Sequence, residues 1–341
     1  MIPAFRSLPI ATATATLLAF TGCSQAPTAS NTATPSPANT SSATEASSHS
    51  MNHSGKPQIN INSAILSELD KLEAKLGIPA LSNKIQASRP YGSTEELVSK
   101  KVINQEQFDQ IKDMVTIEDI VLTGVAKDID YMTKLGLMKG HLLVAKELLE
   151  QGKPDQAEPH IGHPVEEIYA DVEDQLNERK VPEFKNTLIK LQDLVKAGAK
   201  DTNKVNAEFQ TSMQAVDGAI AALPAQQRKD SKFVLPVING LLDTANSEYG
   251  ASIANNKIAA VIEYQDSRGF IAYAETLYQD IKEQVAKDSP KTDKAIVATM
   301  GELKKAWPTV IAPSTPVKTT DEVTQLIKNI EKDSQDFLKQ S

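Results

Sequence analysis

The chain has 341 residues, of which 40% are hydrophobic and only 5% aromatic, and its net charge is −8. That length suffices for two domains with cores of their own, so neither a disulfide nor a metal is needed for folding alone. The acidic balance excludes a nucleic-acid binder that acts through its overall charge. Abundant Ala, Leu, Lys and Glu, with Trp307 as the single tryptophan, favour helices over sheets and predict an all-α fold.

The first stretch, "MIPAFRSLPIATATATLLAFTGCSQA", carries one charge, Arg6, then a short apolar run and Gly22-Cys23. It reads as a secretory signal, because the run is too short to span a bilayer. Small residues before a lone cysteine resemble a bacterial lipobox, with Phe20 where leucine is usual. The resemblance implies lipidation of Cys23 (an acyl anchor such as palmitate) and an exported protein facing the periplasm or a thylakoid lumen. An unlipidated signal with a free thiol is the alternative. Removing residues 1–22 takes away only Arg6, so the mature charge is −8 − 1 = −9. Residues 23–57 continue in Ser, Thr, Ala and Pro, a composition that cannot bury a core and predicts a tether. His49, Met51 and His53 at its end have no fixed geometry with which to hold a metal.

Residues 58–120 carry apolar positions at helical spacing: Leu66, Leu69 and Leu72, then Leu81 and Ile85, then Phe108 and Ile111. Pro90-Tyr91-Gly92-Ser93 reads as a turn, and Ser93-x-x-Glu96 as a capping box. The segments "INSAILSELDKL", "IQASRPYGSTEELV" and "QFDQIKDMVTI" resemble the helix-hairpin-helix module of competence DNA receptors and of a lumenal extrinsic subunit of photosystem II. DNA-binding members need glycine-rich hairpins whose amides approach a phosphate closely. Here the first hairpin, "KLGIPAL", keeps only Gly77, and the second, "SKKVINQ", has no glycine but offers Lys100 and Lys101. Seven basic and ten acidic residues give residues 58–120 a net charge of −3. Phosphate binding draws on cationic side chains, so a docking or spacer role is the better expectation.

Residues 121–341 read as helices throughout: about 130–151, a short piece at 154–160, a helix opening near His163, then about 182–198 and 202–223. The order then repeats from about 233 to 338, which predicts a duplicated four-plus-four helix bundle with halves at about 130–224 and 230–339. Pro164, followed by Glu166 and Glu167, marks the predicted start at His163.

Three of the five histidines, His141, His160 and His163, fall within this first half. Residues three or four apart share a helix face, so His163 pairs with Glu167, and Glu263 pairs with Asp266. A cluster of His141, His163, Glu167, Glu263 and Asp266 between the halves suits a divalent metal, iron or zinc, as in other bundles lined by His and Glu. His160, lying before the expected helix start, where it is free to face solvent, is the weakest member. The competing reading makes His163 a cap, the glutamates dipole partners, and Glu263 with Arg268 an ion-pair network. Tyr169, Tyr249, Tyr264 and Tyr273 read as core residues with a polar tip.

The order of the segments "GHLLVAKELL", "HIGHPVEEIY" and "EYQDSRGF" resembles that of a group of bacterial exported helical proteins, and the region is distantly similar to imelysin-like periplasmic proteins linked to iron uptake. Their hallmark is Gly-x-His-x-x-Glu. Here His163-Pro164-Val165-Glu166 supplies His-x-x-Glu, with the glycine one position late at Gly162. The resemblance implies a metal-handling binding protein. No nucleophile elbow, phosphate loop or Cys-x-x-Cys is present, so no enzyme is expected. Two further readings stay open: a DNA-binding or DNA-uptake lipoprotein using Gly77, Lys100 and Lys101, and an adaptor docking to an envelope or photosynthetic complex.

Overall fold

The structure is a computed structural model that describes residues 58–118 and 122–340. The signal segment, Cys23 and the tether lie outside the described residues. The described fold is all-α apart from two ladders of two residues per strand. No helix among the described residues is long and apolar enough to cross a membrane.

The N-terminal portion is closed by a parallel pairing of β1 (Ile59–Asn60) with β2 (Val115–Thr116). Between them run α1 (Leu66–Leu76), α2 (Leu81–Ala87), α3 (Glu96–Ser99) and α4 (Gln105–Ile111). Leu69, Leu72, Leu81, Ile85, Phe108 and Ile111 fill a separate small core, as their spacing predicts, together with Leu97, while Leu66 is only half-buried. Gly77 ends α1 at φ 63°, where its amide reaches the Glu73 carbonyl, the left-handed stop for which glycine is suited. The expected capping box at Ser93 does not form. The reciprocal pair is Asn104 with Gln107, at the start of α4.

The helices after residue 123 are α5 (Gly124–Glu150), α6 (Pro154–Ala157), α7 (Pro159–His163), α8 (Tyr169–Glu178), α9 (Lys185–Lys196), α10 (Thr202–Ala221), α11 (Ser231–Ser252), α12 (Val261–Asp288), α13 (Pro290–Leu303) and α14 (Thr320–Gln340). They bury one continuous core rather than two. α5 is apolar nearly all round over Tyr131–Leu148 and so must lie inside. It packs against α11 and α12, which are themselves the most extensively paired helices. α13 and α14 close one flank, and α9 and α10 the other. A small hairpin, β3 (Ile253–Ala254) with β4 (Lys257–Ile258), turns at Asn255 and Asn256, both at positive φ. Two residues per strand are too few to leave an alternating pattern in the sequence.

The predicted helix start at His163 is corrected by the structure. The chain is already helical from Pro159, and Pro154 and Pro159 occupy the first-turn positions. Pro164 instead opens a π-turn, Pro164–Ile168, that joins α7 to α8. Proline has no amide to donate inside a helix, and one widened turn absorbs the mismatch while α7 and α8 continue through it.

α1 also lies on the bundle. Ile65 joins the bundle core. Lys71 pairs with Asp243 at 2.6 Å, and the Leu66 amide donates to Glu167 at 3.4 Å. These contacts bring the start of α1 beside Glu167 and its length against α11.

Candidate metal centre

The centre begins with two glycines. α5 and α12 cross so closely at Gly140 and Gly269 that a Cβ on Gly269 would lie 2.3 Å from the Gly140 carbonyl oxygen. Only glycine tolerates that approach. His141 follows Gly140, and Asp266 precedes Gly269 by one helical turn, so the crossing presses the two polar side chains together inside the bundle.

Asp266 is 2% exposed. Its Oδ1 receives His141 Nδ1 at 2.6 Å and His160 Nδ1 at 2.6 Å, while Oδ2 faces His163 Nδ1 at 3.5 Å. One ligand atom from each of His141, His163 and Asp266 lies within 4.8 Å of the others. That spacing leaves room for one ion between them, since metal–nitrogen and metal–oxygen bonds are about 2.0–2.2 Å. Two imidazoles and a carboxylate form a donor set that suits ferrous iron or zinc. The residues present therefore fit the metal. His163 keeps 35% of its side chain exposed, which gives the triad an open side.

His160 is not the solvent-facing residue expected from its place in the sequence. It is fully buried, because α7 begins before it and turns it inward. Its Nε2 meets Gln265 Oε1 at 2.9 Å. Gln265 is oriented by its own amide nitrogen, which donates to the Val310 carbonyl at 3.1 Å and to Gln156 at 3.2 Å. Both nitrogens of His160 are thus engaged by protein oxygens, and neither is turned toward the triad's open side. Its role is to orient Asp266, and carboxylate and imidazole ligands depend on such partners. Two signals in the sequence point to it: the histidine pair at i, i+3, and the proline at 159.

The charges follow from this geometry. Burial works to raise the pKa of Asp266, but His141 and His160 beside it outweigh that and hold the carboxyl well below the usual range. Burial lowers the pKa of His141 against the pull of Asp266. At His163 burial opposes the charged form most strongly. The hydrogen bond and charge of Asp266, with Glu167 and Glu263, overcome it and carry the imidazole up to about 9.

Glu167 and Glu263 stand beside the triad rather than within it. Glu167, on the π-turn, accepts from the α1 backbone. Glu263 occupies the first turn of α12. Burial raises both carboxyls, as does the charge of Asp266, while His163 works to lower them. Two further acids, not singled out in the sequence, join them. Burial, and then the Glu73, Glu263 and Glu167 charges, raise Asp70 of α1 to about 7 against a hydrogen bond from Ser82. Glu248 of α11 is raised well above its usual value by burial and by Asp70, Asp266, Glu263 and Glu167. Neither stands at helical spacing from a histidine, so only the packing of α1 onto α11 and of α11 onto α12 reveals them. Arg268 leaves the cluster and makes a two-pronged pair with Glu147 at 3.0 Å.

The hairpin residues are engaged elsewhere. Lys100 donates to the Ser88 and Pro90 carbonyls, pairs with Glu96 at 3.1 Å and lies over the Tyr91 ring. Lys101 is exposed at φ 59°. Beyond Gly77, the Ala80 and Ser82 amides of the first hairpin donate to the Glu73 carboxylate at 2.8 and 3.3 Å. A phosphate on this hairpin would have to displace that internal anion.

Comparison with known families finds that residues 224–341 match the iron permease-associated 4-helix bundle domain. The matched segment contains α11 to α14, and hence Glu248, Glu263 and Asp266, while the three histidines lie before it. Comparison with curated proteins and with solved structures finds no match. The C-terminal segment of this chain is thus similar to a bundle domain associated with iron permeases.

Proposed function

We propose that this chain is an exported, lipid-anchored binding protein that holds a divalent metal, iron foremost, at His141, His163 and Asp266 and works beside an iron-transport membrane protein. The observation that carries the reading is the convergence of two imidazoles and a buried carboxylate, with His163 open on one side. The similarity of residues 224–341 to an iron permease-associated domain supports iron and a permease partner. Glu167 and Glu263 act beside the ion, where their negative charge favours a cation. His160 acts through Asp266. The role proposed for the centre is to bind the ion. The anchor is Cys23, and the hairpin portion is a docking element whose α1 begins beside Glu167.

Isothermal titration of ferrous, zinc and cupric ions into wild type and His163→Ala tests this reading. Tight binding by wild type, lost in the variant, is expected. Equal weak binding of all three metals by both proteins would refute it and leave His163 as a structural residue.

A further inference from the structure

Between α13 and α14 the chain crosses the first turns of α12, and four side chains of α12 hold it there. Tyr264 donates its hydroxyl to the Thr309 carbonyl at 3.0 Å, and Arg268 donates to the Trp307 carbonyl at 2.6 Å. The Trp307 indole donates to Ser267 Oγ at 2.7 Å, and Gln265 Nε2 donates to the Val310 carbonyl at 3.1 Å. Trp307 and Val310 are buried, so the crossing segment belongs to the core. Asp266 lies in the middle of the four. Gln265 is the one whose other end meets the centre, with Oε1 at 2.9 Å from His160 Nε2. The direction of its amide is fixed. The two N–H hydrogens go to the Val310 carbonyl and to Gln156 Oε1 on α6. Turned over, the amide would set its oxygen against the Val310 carbonyl, which can only accept. Gln265 therefore offers His160 an oxygen, and His160 Nε2 donates to it.

We propose that Gln265 is a positioning residue of the metal centre: pinned by the Val310 carbonyl, it fixes the His160 ring and, through that ring, presents Asp266 to the ion. The proposal rests on the metal-binding reading above and assigns a residue that sets its affinity. The two oxygens of Asp266 are unequal. Oδ1 takes His141 and His160 at 2.6 Å each, which leaves Oδ2, the oxygen facing His163, for an ion. His141 belongs to the proposed ligand set itself, so His160 is the imidazole whose whole task is to hold the carboxylate. A ring held at one nitrogen can swing about that bond, and a ring held at both cannot. Loss of Gln265 would free the His160 ring to swing and the carboxylate to turn with it, while every ligand stays in place. Supporting partners of this kind set how well a ligand is presented. The bonds from Val310 through Gln265 and His160 to Asp266 also tie the segment between α13 and α14 to the centre.

Zinc affinity of the full chain, measured by competition with a chromophoric chelator, tests this in wild type, Gln265→Met, His160→Ala and the double variant. Methionine keeps the length of glutamine but can neither fix the ring nor bond Val310. Gln265→Met should weaken zinc by about tenfold, the lower end of the usual loss for a residue that supports a ligand. Because Gln265 acts through His160, the double variant should bind within about twofold of His160→Ala alone, the mark of two residues working as one unit. Tyr278→Phe gives up a hydrogen bond to Asp293 far along α12 and is the stability control. It should melt lower and keep wild-type affinity. Nitrogen NMR of isotopically labelled histidine in the zinc-loaded wild type is the second measurement, with His160→Ala assigning the signal. His160 should show a protonated, slowly exchanging Nε2. Wild-type affinity in Gln265→Met, losses that add in the double variant, an equal loss in Tyr278→Phe, or a His160 Nε2 without a proton would each overturn the proposal and leave the metal reading standing. No zinc bound by wild type would refute both.

Discussion

His141 and Asp266, 125 residues apart in sequence, share a 2.6 Å hydrogen bond inside the bundle because Gly140 and Gly269 bring their helices into backbone contact. The polar centre is therefore as precise as that crossing. A shift of one side chain's width would separate the imidazole from the carboxylate, and with them the ligand set. The core residues around the crossing, such as Phe270 packed edge-on against the His141 ring at 4.9 Å, fix the imidazole against rotation.

Gly269→Ala should accordingly be costly. Its Cβ would meet backbone, not a flexible side chain, so the helices must part. Overpacking of this kind costs about 1–3 kcal/mol. Gly301→Ala in α13 is the control, since nothing lies within 4 Å of its would-be Cβ. It should be neutral or stabilising by roughly 0.5–1 kcal/mol. Urea midpoints of the two variants decide the matter, and equal midpoints would contradict the tight crossing.

His160→Ala should weaken metal binding without removing a ligand, by about 10–100-fold, the usual loss when a residue that orients a ligand is removed. His163→Ala should lose more. Titration of zinc into both proteins gives the order, and a greater loss in His160→Ala would make it a ligand in its own right.

The metal-free protein should lose thermal stability as pH rises from about 5 to 9. Asp70 is raised to about 7 and His163 to about 9, so the folded state binds more protons than the unfolded chain across that window. Their contributions are complete below the ordinary values of about 3.9 and 6.5 and are lost as pH climbs through the folded ones. Asp266 acts oppositely: its contribution is lost as pH falls below the ordinary carboxylate range. Calorimetric melting temperatures across pH 4–9.5 should show the decline, with His163→Ala flattening its upper part. A melting temperature that rises steadily to pH 9 would exclude this account.

Metal affinity should move the other way. The ion displaces the proton on His163, so affinity should climb about tenfold per pH unit between pH 7 and 9. Zinc competition with a chromophoric chelator measures it directly. A flat profile would mean that His163 is already neutral or is not a ligand.

Cys23→Ser should release the protein from the membrane fraction, since the proposed acyl chain is its anchor. Fractionation after a high-salt wash reads the outcome. A variant that stays in the pellet would refute lipidation at Cys23.

Local chemistry made much of this protein legible from sequence. Helical spacing of leucines and isoleucines, Gly77 as the stop of α1, and the scarcity of aromatics determine an all-α chain, because periodicity and backbone preference act over a few residues. The same spacing makes His163–Glu167 and Glu263–Asp266 pairs on their own helices. Tertiary structure decided the rest. Pro164 reads as a helix start, yet packing carries the helix through it and widens one turn. His160 reads as exposed, yet that continuation buries it against Asp266. Asp70 and Glu248 carry no local sign of their raised pKa values. Those arise only when α1 packs on α11 and α11 on α12, since the cost of crowding buried charges depends on distance in space and leaves no trace in sequence spacing.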